Sequence, residues 1–384
     1  MSPVDALLAK GVLIPAPETV FIGPEVNPDR IEAGTVIHAG CRLYGKDLYI
    51  GAGCELGAEA PLTLKQSQLG RKVNLAGGYV EKSVFLDGAN GASGAHIRPG
   101  CIFEEEASFA HTVGMKQTIF LPFVTAGSLI NFCDALMAGG TSRKDHSEIG
   151  SSYIHFNYTP HQDKATASLV GDVPRGVLLN ERAIFLGGQG GMVGPLKIEY
   201  GTIIGAGVVQ RKDILKPNHL VISAAPPAMA LEFDPKVYGS VSRVVARNLE
   251  YLGNLYALEI WYRNVRRAFL PEPLYAGALA RLADAFDERM KRLGEFAAKV
   301  AVSAGITGNE HQTAFAAAWP ELKVRLEALL AARDAVAFPE PAAGLLPKPG
   351  QGDYLAAVKA LDEAARTEIS GRMDAFVALF RDAF

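Results

Sequence analysis

A six-residue repeat dominates the first half of the chain. From Ile31 onwards its units begin with an aliphatic side chain, as in IEAGTV, IHAGCR, IGAGCE and, later, IRPGCI and VGDVPR. If each leading aliphatic points into a narrow shaft and a small residue lets the chain turn, three units of roughly 18 residues make one triangular coil, and stacked coils pair as parallel strands. The α-helical period of about 3.6 residues fits none of this region. The sequence therefore predicts a single-stranded left-handed parallel β-helix.

The repeat is interrupted most strongly between Asn131 and Thr166. The rhythm slips twice there, at Leu136–Glu148 and at Asn157–Leu169. A solenoid accepts insertions only at its corners, where they loop out to one side and commonly form the binding face. We therefore expect the functional centre within this polar stretch.

The pattern changes from β to α after Ile214. Apolar residues then recur at three- and four-residue spacing, as expected of amphipathic helices: Val245, Leu249, Leu252, Leu255, Leu258 and Trp261. We predict a β-helix with corner loops over residues 1–216, a proline-containing connector over 217–240 and a C-terminal helical domain over 241–384. A Pro- and Gly-containing loop is expected at Phe338–Gly352. The fold class is β then α, and the helices are expected to pack on the β-helix or to bind a partner.

Composition narrows the class of partner. A formal net charge of −3 gives no bulk attraction to nucleic acid or to anionic membranes. No window is long and apolar enough to span a membrane. The four cysteines form no C-x-x-C pair, which is typical of core residues in a reducing compartment. We expect a cytoplasmic protein with neither a nucleic-acid partner nor a membrane span.

Titratable residues in and near the interrupted stretch are candidates for chemistry. Histidine is suited to proton transfer at neutral pH, and His161, beside Asp163 and Lys164, is the first choice for a general base. The other candidates for this role are His111, His146 and His155. His155 is expected to point outward from a strand, and all four histidines are expected near one cleft.

A second set of residues in this stretch is suited to holding substrate. Gly139–Lys144 has the composition of an anion cradle, because two glycines and two hydroxyls precede the cations Arg143 and Lys144. Asp134 lies in the same stretch and is included as a substrate-binding candidate. Clustered histidines also suggest zinc, as in γ-class carbonic anhydrases, but the Asn-Tyr-Thr-Pro segment between His155 and His161 disfavours their convergence. No metal is expected.

Several segments in a fixed order resemble a known family of enzymes. They read AHIRPG, GMKQ, TAGSLINFCD, IHFNYTP, LVGDVPRG and TIIGAGVVQRKDI. The chain resembles the hexapeptide-repeat acyltransferases, and residues 95–215 resemble the acetyltransferase half of bifunctional glucosamine-1-phosphate acetyltransferase/N-acetylglucosamine-1-phosphate uridylyltransferase. It is most similar to bacterial β-helix proteins with helical tails that are described as related to UDP-N-acetylglucosamine pyrophosphorylases.

The resemblance implies ligands and site residues. Arg98 and Lys116 match the family's phosphate-binding arginine and lysine. Asn157 and Tyr158 match its N-Y pair, which lies at the junction of sugar and acyl donor. Lys164 matches the lysine that follows this pair. Cations at these positions suit the clustered anionic oxygens of a sugar phosphate. The family also implies a homotrimer, an acetyl-CoA or other acyl-CoA donor, and a sugar phosphate or nucleotide sugar as partner.

The sequence departs from the family where the chemistry is carried. Ser128 stands where the family has its catalytic histidine, and Asn131 stands where it has a tyrosine. A serine hydroxyl cannot act as a base near neutral pH without another base beside it. The nucleotide-binding domain of the uridylyltransferase half has no counterpart here, so pyrophosphorylase activity is not expected.

Two hypotheses follow from these matches and departures. The first is an acyltransferase-like transferase that acts on an amino-sugar phosphate or nucleotide sugar. The second is a non-catalytic scaffold or sensor that binds a nucleotide sugar and recruits a partner through its helical tail. Ser128 favours the second hypothesis, and the density of polar groups in Asn131–Thr166 favours the first.

Overall fold

The N-terminal part of the chain forms the predicted β-helix. The structure, a computed structural model, describes residues 2–222, 227–239, 241–336, 338 and 352–384. A short helix, α1 (Pro3–Lys10), precedes the first coil, and Ser2 caps it through the backbone N–H of Asp5. Each coil then contributes strands to three parallel faces in turn. The prediction of a left-handed parallel β-helix followed by helices is confirmed.

We number the faces in the order in which the chain reaches them. Face 1 holds β1 (Phe21–Ile22), β3 (Arg42–Tyr44), β6 (Leu62–Lys65), β9 (Gly78–Glu81), β12 (Ala95–Ile97), the first halves of β15 (Gly114–Phe120) and β17 (Asn131–Met137), β21 (Ile154–Phe156), β24 (Gly191–Val193) and β27 (Val209–Gln210). Face 2 holds β4 (Tyr49–Ile50), β7 (Gln68–Leu69), β10 (Ser83–Phe85), β13 (Cys101–Phe103), the second halves of β15 and β17, β22 (Ser168–Val170) and β25 (Lys197–Ile198).

Face 3 is a ten-stranded parallel sheet. It holds β2 (Val36–Ile37), β5 (Glu55–Leu56), β8 (Asn74–Leu75), β11 (Asn90–Gly91), β14 (Ser108–Phe109), β16 (Thr125–Ala126), β20 (Glu148–Ile149), β23 (Phe185–Leu186), β26 (Ile203–Ile204) and β28 (Leu220–Val221). Between faces 2 and 3, β18 (Gly140–Ser142) and β19 (Asp145–His146) form a separate antiparallel hairpin.

The shaft of the β-helix is filled by one inward side chain per strand. On face 2 the paired inward positions are all buried: Ile50, Leu69, Phe85, Phe103, Phe120, Met137, Val170 and Ile198. The rings of Phe85 and Phe103 stack with centroids 4.6 Å apart. Burial of each large side chain contributes about 1.5–3 kcal/mol, so regular stacking is the main source of stability here.

Face 2 also has apolar residues at its outward positions, because the helical domain covers them. Val84, Ile102, Ile119, Leu136 and Leu169 are buried, and Val84 packs against Leu274 of the helical domain. A strand that is apolar on both sides is typical of a sheet covered on both faces. Faces 1 and 3 therefore provide the open sides of the β-helix.

The C-terminal part of the chain is helical. Its elements are α3 (Val241–Asn264), α4 (Glu272–Thr307), α5 (Glu310–Ala331), α6 (Tyr354–Lys359) and α7 (Glu363–Arg381), and a one-turn α2 (Val173–Gly176) lies at a coil corner. The six apolar residues predicted for the core of α3 are all buried. The loop predicted at Phe338–Gly352 lies, apart from its two ends, outside the described residues, as does part of the predicted connector.

Buried polar contacts hold the helical domain to the β-helix. Arg289 Nη2 lies 2.6 Å from Asp134 Oδ1, and the Tyr262 hydroxyl donates to Glu104 Oε1 over 2.6 Å. Arg266 is fully buried and lies 2.6 Å from Glu105. Because an uncompensated buried charge is costly, these pairs fix where the helices dock.

Candidate functional site

The predicted site residues lie at three different corners of the coil. We name these corners 1/2, 2/3 and 3/1 after the faces that they join. Arg98, Lys116 and the loop Asn157–Thr166 lie along or beside corner 1/2. The hairpin with Arg143 lies at corner 2/3, and Ser128 lies at corner 3/1. Two of these corners bound the open face 1.

At corner 3/1, three successive coils place polar side chains in a row. Ser128 Oγ lies 3.0 Å from His111 Nδ1, on the coil before it. The backbone N–H of Ser128 donates to Ser151 Oγ, on the coil after it, over 3.1 Å. His111 is exposed and Ser128 is half-buried. A histidine therefore lies in hydrogen-bond contact with Ser128.

A carboxylate lies near this histidine. Glu59 accepts a hydrogen bond from the backbone N–H of Ser93 over 3.3 Å. Hydrogen bonds from Ser93 lower the pKa of Glu59, and the nearby His111 adds a smaller effect in the same direction. The carboxylate is thus ionised at neutral pH. Sequence reasoning missed Glu59, which lies four coils before Ser128.

At corner 1/2, Arg98 and Lys116 occupy adjacent outward positions on paired strands. Arg98 Nη2 reaches Cys133 Sγ at 3.2 Å, one coil beyond Lys116. Burial raises the pKa of the Cys133 thiol, so this partner is neutral at pH 7. Asn131 lies on the same strand as Cys133 and is exposed on face 1, beside Gly114.

A cavity of about 560 Å³ lies between corner 1/2 and α4. Arg98 and Lys116 line it together with residues that sequence reasoning did not select: Lys82, Pro99, Gln117, Asp284, Asp287, Glu288 and Lys291. Repeat alignment could have identified Lys82, which pairs by register with Pro99 at this corner. No sequence signal identifies the α4 residues, because their position depends on how the helix docks.

Asp134 and Asn157 are joined by structural contacts. Asp134 is buried, pairs with Arg289 of α4 and accepts a hydrogen bond from Asn157 Nδ2. The backbone carbonyl of Asn157 accepts from Thr166 Oγ1 over 3.0 Å. Asp134 therefore orients Asn157 and anchors α4 at corner 1/2.

The loop Asn157–Thr166 is held by the connector and by α4. His161 stacks on Tyr238 with ring centroids 4.3 Å apart, and its Nδ1 lies 3.1 Å from the Pro235 carbonyl. Lys299 of α4 donates to the His161 carbonyl over 2.9 Å. Tyr158 is exposed, and the Lys164 carbonyl accepts from Arg289. His161 therefore lies at the opposite edge of face 1 from Ser128.

The prediction that His155 points outward is wrong. It is 2% exposed and occupies an inward position between Phe132 and Met192. Its Nδ1 contacts the Cys133 carbonyl and its Nε2 lies 2.9 Å from Ser168 Oγ. Burial lowers the pKa of His155. This imidazole is a neutral part of the shaft and is closed to substrate.

The hairpin at corner 2/3 is also separate from face 1. Arg143 Nη1 donates to the carbonyls of Glu106 and Phe123 and to Thr125 Oγ1, over 2.9–3.0 Å. His146 Nδ1 lies 2.9 Å from the Arg143 carbonyl, whereas Lys144 is exposed. The prediction that the four histidines share one cleft is therefore wrong, because each lies in a different part of the coil.

The described residues also bear on metal binding and on membrane insertion. No group of three or more His, Cys, Asp or Glu side chains in the described ranges is arranged to hold a metal ion. Among the helices that the structure describes, none has the length and apolarity needed to cross a bilayer.

The fold and the corner residues define a hexapeptide-repeat left-handed β-helix protein with a docked helical domain. Comparison with known proteins agrees: the chain is similar to Bifunctional protein GlmU of Oleidesulfovibrio alaskensis, with 29% identity over 208 residues that cover 54% of this chain and 40% of the relative. The Carboxydothermus hydrogenoformans protein is 28% identical over 214 residues, which cover 55% of this chain and 42% of the relative. The Thermus thermophilus protein is 32% identical over 151 residues, which cover 39% of this chain and 31% of the relative.

The chain thus matches less than half the length of these relatives. No family model matches it. The resemblance to the β-helix half predicted from the sequence motifs is confirmed.

Proposed function

We propose that this protein is an acyltransferase-like transferase that acts on an amino-sugar phosphate or nucleotide sugar, with an acyl-CoA as donor. The observation that carries the proposal is the 3.0 Å contact between His111 Nδ1 and Ser128 Oγ. It supplies a titratable base beside the position at which the resembling family has its catalytic histidine. We assign the role of general base to His111 instead of His161, the first choice from sequence, because His111 contacts Ser128.

The proposed reaction uses His111 as general base. In the tautomer that carries its proton on Nδ1, the imidazole donates to Ser128 Oγ and leaves Nε2 free. The acceptor amine attacks the thioester carbonyl, a C–N bond forms and the C–S bond breaks. Nε2 takes the amine proton, and the CoA sulfur leaves as a thiolate that is protonated to the thiol.

The phosphate-binding part of the proposed site lies at corner 1/2, at the opposite edge of face 1 from His111. Arg98 and Lys116 bind the phosphate, because guanidinium and ammonium groups form strong charge-assisted hydrogen bonds with phosphate oxygens. Asn131, Asn157 and Tyr158 orient the sugar and the donor, and Lys164 provides a further cation. Arg143 and Lys144 are left out of this site, since their hairpin lies at corner 2/3.

A non-catalytic scaffold or sensor is the second candidate function. The specific observation in its favour is Ser128 itself, since a hydroxyl does not replace the proton-accepting capacity of an imidazole. In that case the cations at corner 1/2 bind a nucleotide sugar without turnover, and the helical domain recruits a partner.

The test is CoA release from acetyl-CoA in the presence of a panel of amino-sugar phosphates. We expect turnover that falls by at least about 100-fold in His111→Ala, the usual contribution of a general base. Ser128→Ala should lower kcat by about 2- to 10-fold, because it removes one neutral hydrogen bond. His311→Ala, on an exposed turn of α5, is the matched control and should retain full activity.

Two results contradict the proposal. Absence of CoA release with every acceptor, together with thermal stabilisation by a nucleotide sugar, would support the sensor instead. An unchanged rate in His111→Ala would remove this histidine from the mechanism.

A further inference from the structure

We propose that α4 completes the ligand pocket at corner 1/2, so that the helical domain takes part in substrate recognition. Lys291 of α4 and Lys82 of the β-helix join Arg98 and Lys116 in binding phosphate, and Asp287 accepts hydrogen bonds from sugar hydroxyls. The ligand class is a phosphorylated sugar, so this inference rests on the proposed function, to which it adds the source of specificity.

The cavity itself is the first observation. Its 560 Å³ volume is bounded on one side by Lys82, Arg98 and Lys116 and on the other by Asp287 and Lys291. Such a volume lies within the range of small-molecule sites. The two α4 residues are four positions apart, so they lie on the same face of the helix and point towards the same corner.

The position of α4 at this corner is fixed. Arg289, midway between Asp287 and Lys291, forms a buried pair with Asp134, with exposed side-chain fractions of 3% and 6%. Asp134 itself lies at corner 1/2, directly after Cys133. The helix cannot move away without leaving a buried charge unpaired, so the pocket is preformed.

The charges in the pocket are unequally compensated. Asp284 pairs with Arg281 at 3.0 Å and Glu288 pairs with Arg292 at 2.9 Å. Over the described ranges, neither Asp287 nor any of the four cations lies within 4.0 Å of an oppositely charged side chain. The contact of Arg98 with the thiol of Cys133 leaves its charge uncompensated.

These uncompensated charges define the chemistry of the ligand. Clustered cations attract an anion with several oxygens, for which phosphate is suited. Asp287, the carboxylate of this cavity without a charged partner, repels a second anionic group and accepts hydrogen bonds from hydroxyls. The combination therefore fits a sugar that carries one phosphate group at one end and free hydroxyls at the other.

The test measures binding of glucosamine 1-phosphate and of glucosamine by calorimetry. Lys291→Gln and Lys82→Gln should each weaken binding of the phosphorylated sugar by about tenfold, the effect of losing one charge-assisted hydrogen bond. Binding of glucosamine should not change in these variants. Asp287→Asn should weaken the binding of both sugars. Lys323→Gln, at an exposed pair on α5, is the control and should leave both affinities unchanged.

The design separates failure of the inference from failure of the proposed function. If Arg98→Gln and Lys116→Gln weaken binding of glucosamine 1-phosphate but Lys291→Gln and Lys82→Gln do not, the role of α4 is overturned and the proposed function stands. If the unaltered protein does not bind the phosphorylated sugar, both are overturned. Unchanged melting temperatures of the Gln variants exclude unfolding as the cause of weaker binding.

Discussion

At the scale of single residues, direction within the repeat decides what a side chain can do. His111 and His155 both follow aliphatic coil residues, yet His111 lies at an exposed corner and His155 lies in the shaft. Strand side chains alternate between the two sides of a face, so a shift of one position separates a solvent-facing group from a buried one. His155 is on the buried side, and both of its ring nitrogens form internal contacts, with the Cys133 carbonyl and with Ser168 Oγ.

The buried acid pair at the domain junction provides a residue-scale prediction. Burial, opposed by Arg266, raises the pKa of Glu104 from 4.5 to about 7. A raised pKa in the folded state gives stability that is complete below pH 4.5 and lost as the pH rises through about 7. Glu104→Gln keeps the acceptor for Tyr262 and removes the titration. Between pH 5 and pH 8 the free energy of unfolding of the unaltered protein should fall by about 3 kcal/mol more than that of Glu104→Gln.

Urea unfolding at the two pH values measures this difference. The groups that face the Glu104 carboxyl or its immediate neighbours are Tyr262, Glu105 and Arg266. Because Glu105 belongs to the same buried cluster, Glu105→Gln should be measured alongside Glu104→Gln. Identical pH profiles for Glu104→Gln and the unaltered protein would mean that Glu104 is already ionised in the folded protein.

At the scale of elements, one ion pair determines where α4 lies. Arg289 and Asp134 come from a helix and a coil corner that are 155 residues apart in sequence. Arg289 also reaches the Lys164 carbonyl, so it connects α4 with the loop Asn157–Thr166. A single side chain therefore links the helical domain, the loop and the pocket at corner 1/2.

Removal of this link should be costly. Arg289→Met leaves Asp134 buried and unpaired, and we expect the free energy of unfolding to fall by about 3–5 kcal/mol. Lys323→Met, which removes an exposed pair with Glu327, should cost less than about 1 kcal/mol. Chemical denaturation monitored by circular dichroism compares the two variants. Equal losses in both would argue that Asp134 is compensated by another group.

At the scale of the whole molecule, the helical domain covers one face of three and leaves two for neighbours. Exposed apolar side chains occupy outward positions on the last coils: Ile154, Phe156, Phe185, Ile203 and Leu220. Contiguous exposed apolar side chains mark interaction surfaces more often than isolated ones do. The homotrimer implied by the family resemblance would use these coils, with face 2 pointing outward.

Sedimentation tests this arrangement. We expect the unaltered protein to sediment as a trimer. The double variant Phe185→Glu/Ile203→Glu should sediment as a monomer, because a carboxylate buried at an interface is costly to desolvate. Leu379→Glu, at an exposed position of α7, should remain trimeric. A monomeric unaltered protein would contradict the proposed assembly.

The sequence by itself determined the architecture. A six-residue period places an aliphatic residue inside the shaft once per face, and this local regularity specifies the β-helix before any distant contact forms. The 3.6-residue period likewise identified the buried stripe of α3. The sequence motifs also identify Arg98, Lys116 and Ser128 as candidate site residues, because each matches a fixed position in a resembling family.

Only the tertiary structure decided which of these residues meet. The stretch Asn131–Thr166 is continuous in sequence, but its two insertions leave the coil at different corners, so Arg143 lies at corner 2/3 and the loop Asn157–Thr166 at corner 1/2. His111 comes beside Ser128 because parallel stacking aligns residues one coil apart. Lys291 reaches corner 1/2 because α4 docks through Arg289. Such contacts depend on register and docking, which a local pattern does not encode.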